Sequence, residues 1–252
     1  MRALITGASS GIGYSMAKYL SSIGYDLILV ARDKEKLKEI KSELKTEVKV
    51  IVADLTDMSK IKEVYVLCKN DNIDILINNA GFGLFGDFLN TDLSKEFEMI
   101  DLNIKAVQAL TKLFLKDMKK RNNGIILNVA SSASFVPGPL MSTYYATKAY
   151  VKSFTCALYE ELRRDKSNVH VSCLCPGPVK TNFNNVANVS FGMTGLDSDY
   201  VAKYAIDCTL KHKLIIIPGF KIKMFVFLSR FASSKMVCKI IYNFQKKKDK
   251  KG

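Results

Sequence analysis

Residues 6–13, T-G-A-S-S-G-I-G, follow a short apolar run at 3–5 and lead into a helical pattern of apolar residues over 12–23. Glycines at such a junction allow a tight turn, close approach of a ligand to the backbone, and packing of the helix on the strand. The free amides at the start of the helix form a site for a phosphate group. A strand, a glycine turn and a helix in this order predict the first unit of a dinucleotide-binding fold.

Further apolar runs with the length of buried strands alternate with helical patterns along the chain. The runs are residues 27–31, 48–53, 75–77, 125–129 and 169–175. Strands that alternate with helices, beginning with a phosphate-binding turn, predict an α/β fold: one domain with a doubly wound parallel sheet of the Rossmann type.

Composition narrows the class of protein. The chain has 252 residues, 48% of them hydrophobic and 25% charged, which is ordinary for a globular protein. Its six cysteines form no C-x-x-C pair and it has two histidines, so no metal site is expected. The amino terminus lacks the charged segment followed by an apolar segment that is typical of a signal peptide. This predicts a reducing, cytoplasmic location.

The net charge of +14 is concentrated at the carboxyl end, where residues 211–252 contain twelve Lys or Arg and one acid. The apolar segment at 221–231 is interrupted by Lys221, Lys223 and Arg230, and it is too short and too charged to span a bilayer. A basic tail also permits nucleic-acid binding, but it lacks interleaved stacking aromatics on a sheet face and a recognition helix, so no nucleic-acid partner is expected.

The candidate catalytic stretch is residues 131–148, S-S-A-S-F-V-P-G-P-L-M-S-T-Y-Y-A-T-K. Tyr144 and Lys148 lie four residues apart, so on a helix they share a face, and a nearby ammonium lowers the pKa of a phenol. The same spacing recurs by chance elsewhere in this lysine-rich chain. Ser131 distinguishes the Tyr144 and Lys148 pair from the chance pairs. It directly follows an apolar strand and so lies where open α/β sheets bind ligands. Tyr145 should point about 100° away, and it is given no chemical role.

Two charged positions bear on the nucleotide. Arg32 and Asp33 follow the second strand, where a dinucleotide-binding fold contacts the adenosine ribose. A basic group there favours a 2′-phosphate on that ribose, and an acid favours a free 2′-hydroxyl. Arg32 favours NADP over NAD, with Asp33 starting the next helix; the alternative is a solvated arginine. Asp54, followed by Leu55, either accepts from an adenine amino group or caps a helix.

Three other segments complete the site. The N-N-A-G of residues 78–81 ties strand ends together and leaves room for a ligand. Asn103 lies among apolar neighbours, and it either holds water behind Lys148 or is a hydrogen-bonded core residue. Residues 176–181, P-G-P-V-K-T, end a strand, and residues 182–195 are predicted to form a mobile substrate loop.

Together these motifs resemble the short-chain dehydrogenase/reductase family over about the first 220 residues. The resemblance implies a nicotinamide cofactor and hydride transfer between its C4 carbon and a carbonyl or alcohol carbon. It implies that Tyr144 gives or takes the proton, Ser131 hydrogen-bonds the carbonyl oxygen, Lys148 binds the nicotinamide ribose and lowers the Tyr144 pKa, and Asn103 positions a relay water. Cofactor binding is expected at Thr6, Gly7, Ser9, Ser10, Gly11, Ile12, Gly13, Arg32, Asp54, Leu55, Asn79, Ala80, Gly81, Tyr144, Lys148, Pro176, Gly177, Val179 and Thr181.

The resemblance also divides the chain into a domain at 1–220 and a basic, amphipathic helical extension at 221–252. Similar tails occur in the DltE-type and long-chain 3-oxoacyl or hydroxysteroid reductase branches, which implies an apolar ketone or 3-oxoacyl substrate, or contact with an anionic membrane. Alternatively, the tail helices cover the entrance of the active site and only the last residues are solvated. The family implies a homodimer or homotetramer. A nucleotide-binding sensor or scaffold that has lost catalysis is the competing function.

Overall fold

A computed structural model describes residues 1–181 and 195–246 of the protein. In this part of the chain, seven strands form one parallel sheet in the order β3-β2-β1-β4-β5-β6-β7. The strands are β1 (Arg2–Thr6), β2 (Asp26–Ala31), β3 (Val48–Val52), β4 (Ile75–Asn78), β5 (Gly124–Val129), β6 (Val169–Leu174) and β7 (Ile215–Ile216). The strand order reverses between β1 and β4, and ligands of such sheets bind at that point, beyond the carboxyl ends of the strands.

Helices cover both faces of the sheet. They are α1 (Gly11–Ser22), α2 (Lys34–Glu43), α3 (Met58–Cys68), α4 (Leu93–Ile100), α5 (Val107–Lys120), α6 (Ser142–Arg164), α7 (Ser198–Leu210), α8 (Phe220–Ser229) and α9 (Ser234–Lys246). One face packs against α1, α2 and α7, and the other against α3, α5 and α6. The predicted doubly wound Rossmann sheet is therefore confirmed.

The strand β2 shows why apolar runs predicted this sheet. Leu27 and Leu29 pack on the α1 side, while Ile28 and Val30 pack on the α3 side. A strand buried on both faces needs apolar residues at every position, because alternate side chains point to opposite faces.

The described part of the tail contains two helices that differ in character. Val237, Ile241 and Gln245 form a buried stripe on α9, whose other faces are exposed, so α9 is amphipathic as expected. In contrast, α8 buries only Val226 and exposes large apolar side chains on its remaining faces, so the amphipathic expectation was wrong for α8. Within residues 1–181 and 195–246, no helix is long and apolar enough to cross a membrane. The predicted substrate loop, apart from Gly195, and the last six residues lie outside the described residues.

The stacked histidines at one end of the sheet predict a pH-dependent stability. The ring centroids of His170, on β6, and His212 lie 3.5 Å apart. Burial, and secondarily the neighbouring His212, lowers the pKa of His170 below its ordinary 6.5. The unfolded chain then binds this proton more readily than the folded chain does, so the free energy of unfolding should fall as the pH drops through about 6.5.

Urea unfolding at pH 8 and at pH 5.5 checks this expectation, with His170→Phe as the comparison because it keeps an aromatic ring without the titration. The wild type should lose more stability between the two pH values than the variant. Equal losses would contradict the assignment to His170.

Candidate active site

One cavity of about 670 Å³ runs along the carboxyl ends of the strands, from the glycine turn after β1 to the start of α6. It has the size of a pocket for a cofactor and a small substrate. Of the predicted site residues, the cavity is lined by Gly7, Ser9, Ser10, Gly11, Ile12, Arg32, Asp54, Leu55, Asn79, Ala80, Gly81, Ser131, Tyr144, Lys148, Pro176, Gly177, Val179 and Thr181. Thr6, Gly13 and Asn103 lie behind this lining.

The glycine turn fits a phosphate-bearing ligand. Gly7 and Gly11 have φ values of +64° and +55°, in the left-handed region that favours glycine. A Cβ on Gly13 would lie 2.3 Å from the Gly7 carbonyl oxygen, so helix α1 can approach the strand this closely only with glycine there. Ser10 precedes α1 and makes no side-chain cap hydrogen bond. The first amides of α1 are therefore presented to the cavity as a phosphate site requires.

Thr6 and Asn79 hold the turn in shape. The Thr6 Oγ1 accepts hydrogen bonds from the backbone amides of Asn79 and Ala80, each at 3.0 Å. The Asn79 side-chain amide donates to the carbonyl oxygens of Thr6 and Gly7, at 3.0 and 3.1 Å. The Asn78 side-chain amide donates to Asn128 Oδ1 on β5 at 2.8 Å, so both asparagines of residues 78–81 tie strand ends together, as expected. Thr6 supports the turn from beneath it.

Arg32 and Asp54 line the cavity where strands β2 and β3 end. The Arg32 guanidinium is 73% exposed and lies 3.7 Å from the Asp54 carboxylate. Asp54 accepts from the Thr56 amide and hydroxyl, at 3.0 and 2.9 Å. Partial burial acts to raise the Asp54 pKa, but these hydrogen bonds and Arg32 outweigh it and lower the pKa. Asp57 caps α3, and Asp54 does not.

The other end of the cavity brings Ser131, Tyr144 and Lys148 together. Ser131 follows β5, and Tyr144 and Lys148 lie in the first two turns of α6. A side-chain hydrogen bond joins Ser131 to Tyr144. The Lys148 ammonium donates to the Val129 carbonyl oxygen at 2.9 Å and lies 6.0 Å from the centroid of the Tyr144 ring. The three side chains that the sequence picked out from residues 131–148 therefore share one site.

The acidities of the two ionisable groups differ from the expectation. Burial raises the pKa of Tyr144 to about 12, against a smaller lowering by the Ser131 hydrogen bond. Burial also lowers the pKa of Lys148 to about 8. The net Tyr144 pKa is therefore raised, because desolvation disfavours both charged forms and the Lys148 ammonium hydrogen-bonds the Val129 carbonyl. The lowering of the Tyr144 pKa by Lys148 stays a prediction.

Asn103 is a hydrogen-bonded core residue in this structure. It is fully buried in a π-helical turn, Asp101–Ala106, that joins α4 to α5. Its Oδ1 accepts from the Phe82 amide at 3.1 Å, and its Nδ2 donates to the Phe82 carbonyl at 2.9 Å and to Thr147 Oγ1 at 3.1 Å. A Cβ on Gly81 would lie 2.7 Å from Asn103 Oδ1 and 3.3 Å from Lys148 Nζ. Glycine at 81 thus lets the cavity wall approach both side chains.

Several residues around Tyr144 were not predicted from the sequence. Tyr145 lines the cavity although it was given no role, and the cavity wall also includes Phe82, Leu84, Leu102 and Met141. Glu96 of α4 accepts a hydrogen bond from Thr143 at 2.6 Å and so fixes the start of α6. The sequence gives no signal for this wall or for the hydrogen bond between Glu96 and Thr143, because each joins segments that are distant along the chain.

The family model described as short chain dehydrogenase matches residues 1–189. The chain belongs to the short-chain dehydrogenase family. A very-long-chain 3-oxoacyl-CoA reductase of Anas platyrhynchos is 34% identical over 198 residues, which are 75% of this chain and 63% of the relative. An uncharacterised oxidoreductase of Staphylococcus epidermidis is 38% identical over 181 residues, covering 71% of this chain and 78% of the relative.

Among solved structures, this short-chain dehydrogenase resembles a short-chain dehydrogenase from Sphingobium yanoikuyae in complex with NADPH. The TM-score is 0.81 at 31% identity, and the match covers 87% of this chain and 88% of the other. The protein is accordingly an oxidoreductase that acts on CH–OH or C=O groups with a nicotinamide cofactor. The glycine turn and the uncapped start of α1 fit the phosphates of that cofactor.

Proposed function

We propose that this short-chain dehydrogenase is an NADP-dependent reductase of apolar carbonyl compounds, either ketones or 3-oxoacyl thioesters. The observation that carries the proposal is the single cavity that joins the glycine turn to Ser131, Tyr144 and Lys148. The turn would hold the cofactor phosphates, and Lys148 would hold the nicotinamide ribose.

In the mechanism, a bound nicotinamide supplies or accepts the hydride at its C4 carbon. Ser131 and Tyr144 donate hydrogen bonds to the substrate carbonyl oxygen and stabilise the negative charge that develops there. The phenolic proton moves from Tyr144 to that oxygen as the alcohol forms. A Tyr144 pKa of about 12 keeps the phenol protonated at neutral pH, which is the form that reduction requires.

The apolar wall beside Tyr144 supports the substrate class. Met99, Ala133 and Met141 form a small cluster with Tyr144, against which Phe82 and Phe85 pack. Such a wall favours an alkyl chain or a ring system next to the reacting carbonyl. The similarity to a very-long-chain 3-oxoacyl-CoA reductase supports the same class.

Arg32 supports the preference for NADP, and its removal is a direct test. Arg32→Ala removes the cation that would pair with the 2′-phosphate, so we expect the Kd for NADPH to rise about 10- to 100-fold while that for NADH changes less than about twofold. Fluorescence titration with both nucleotides measures this. Asp54→Asn, which breaks the same ion pair without removing the cation, is the control and should retain the preference for NADPH. Equal weakening toward both nucleotides in Arg32→Ala would contradict the role.

Further proposals concern domains, assembly and location. We infer a short-chain dehydrogenase domain at 1–220 with a basic helical extension at 221–252. We also infer that the protein assembles as a homodimer or homotetramer. We also infer a cytoplasmic location. Peripheral contact with an anionic membrane is supported by α8, which exposes apolar side chains among lysines.

The substrate class is tested by following NADPH absorbance at 340 nm with a panel of 3-oxoacyl thioesters of increasing chain length and of bulky ketones. Turnover that rises with the size of the apolar group supports the proposal. Tight NADPH binding with no turnover across the panel would favour a nucleotide sensor of the same fold.

A further inference from the structure

The tail helix α9 buries the side-chain amide of Gln245 in a stripe whose other members are apolar. Val237, Ile241 and Gln245 follow one another at intervals of four residues and face the same side of the helix. Val237 and Ile241 pack in a small cluster with Val136, which Tyr145 also contacts. Gln245 is only 1% exposed. A buried amide is unfavourable unless it is hydrogen-bonded. The Gln245 Oε1 has no hydrogen-bond partner among the described residues, so the contacts of Nε2 indicate what this position contributes.

The partners of Gln245 flank the tyrosine of the active site. Its Nε2 donates to the Tyr145 hydroxyl oxygen at 2.8 Å and lies 3.7 Å from the Met141 sulfur. Met141 and Tyr145 are four residues apart, so they lie on one side of the first turn of α6, and Tyr144 lies between them in the chain. Both partners line the cavity. One amide from the last described helix therefore contacts both ends of the turn that carries Tyr144.

The first turn of α6 depends on such external contacts. Met141 precedes the helix and makes no side-chain cap hydrogen bond. The Tyr145 ring fits against Gly138, where an added Cβ would lie 2.3 Å from the ring. The Tyr145 ring also makes an edge-to-face contact with Tyr144, with ring centroids 6.0 Å apart. A shift of Tyr145 must therefore move the Tyr144 ring or open space beside it.

We propose that Gln245 is a positioning residue that acts through Tyr145 on Tyr144, so that the tail helix α9 supports the catalytic site from behind the cavity wall. The inference rests on the proposed reductase function and deepens it. Without the amide, Tyr145 loses its hydrogen-bond partner and water gains access to Tyr144. Burial is what raises the Tyr144 pKa, so this pKa should fall when the site loosens.

Gln245→Leu and Tyr145→Phe test the contact from its two sides. Each should lower kcat/KM for the carbonyl substrate about 10- to 100-fold, as misplacement of a reacting group does. The Kd for NADPH should change less than about twofold, because the contacts of Gln245 are with Met141 and Tyr145 and not with the glycine turn. The high-pH limb of the rate profile for reduction should move to lower pH. The double variant should be no slower than either single variant, since both break one interaction.

The matched controls lie on the exposed faces of the same helix. Asn243→Leu makes the same kind of change from amide to Leu, and Tyr242→Phe removes a hydroxyl that is not at the cavity. Both should leave kcat/KM and the pH profile at wild-type values. The inference is overturned if Gln245→Leu and Tyr145→Phe match these controls in kcat/KM and pH profile, even with a lowered Tm, or if their effects multiply in the double variant.

Failure of the reductase proposal is recognised separately. If the wild type turns over no substrate, that proposal fails, and hydrogen–deuterium exchange of residues 138–148 decides the inference. Faster exchange in Gln245→Leu than in Asn243→Leu supports positioning of the Tyr144 turn by the tail. Equal exchange in the two variants overturns it.

Discussion

Tyr144→Phe should lower kcat for carbonyl reduction by about 1,000-fold, within the range expected for loss of a general acid. The substitution removes one oxygen atom from a buried side chain and leaves the ring and its contact with Tyr145 in place. The Kd for NADPH should stay within about twofold of the wild-type value, because Lys148 and the glycine turn are unchanged. Stability should fall by no more than about 1 kcal/mol, the net contribution of one hydrogen bond.

The control for this prediction is Tyr242→Phe, which removes the same atom from a tyrosine that is 41% exposed on α9. It should leave kcat and Kd unchanged. Steady-state rates and nucleotide titrations on the three proteins are sufficient. Retention of more than about a tenth of the wild-type kcat by Tyr144→Phe would contradict the assignment of Tyr144 as the proton donor.

Gly13→Ala is expected to abolish nucleotide binding at micromolar concentrations and to destabilise the fold. The new methyl group would lie 2.3 Å from the Gly7 carbonyl oxygen and 2.5 Å from Asn79 Nδ2. The first of these neighbours is backbone and cannot rotate away, so helix α1 must shift from β1 and from the turn. Overpacking of this kind costs about 1–3 kcal/mol. The displaced amides should raise the Kd for NADPH at least about 100-fold.

Gly24→Ala separates this clash from the general cost of replacing a glycine. Gly24 has a φ of +88°, and an added Cβ would have no heavy atom within 4 Å. Strain in the left-handed region should cost about 1 kcal/mol without altering nucleotide affinity. Urea unfolding and NADPH titration of both variants provide the comparison. Wild-type affinity in Gly13→Ala would show that the close approach of α1 is not needed for the site.

The fold could be predicted because its signals are local. The run at 27–31 is apolar at every position since β2 is buried on both faces, and the glycine turn is fixed by backbone conformation at Gly7 and Gly11. The lining residues at the strand ends could be predicted for the same reason, because the carboxyl ends of parallel strands meet at one edge of the sheet.

Features that depend on tertiary burial could not be predicted. The pKa values of Tyr144 and Lys148 follow from desolvation, which no spacing reveals, and spacing alone suggested a favourable pairing. The contact between Gln245 and Tyr145 joins positions 100 residues apart. The helical period placed Tyr145 away from Tyr144, but it could not show that the cavity reaches both side chains.

The most direct test of the central claim follows the hydride itself. NADPH that carries deuterium at both C4 positions of the nicotinamide is incubated with the protein and a 3-oxoacyl thioester, and the product is examined by mass spectrometry. The account predicts one deuterium on the former carbonyl carbon, at a rate that Tyr144→Phe lowers by about 1,000-fold. Tight NADPH binding with no deuterium in any product of the ketone and thioester panel would contradict it.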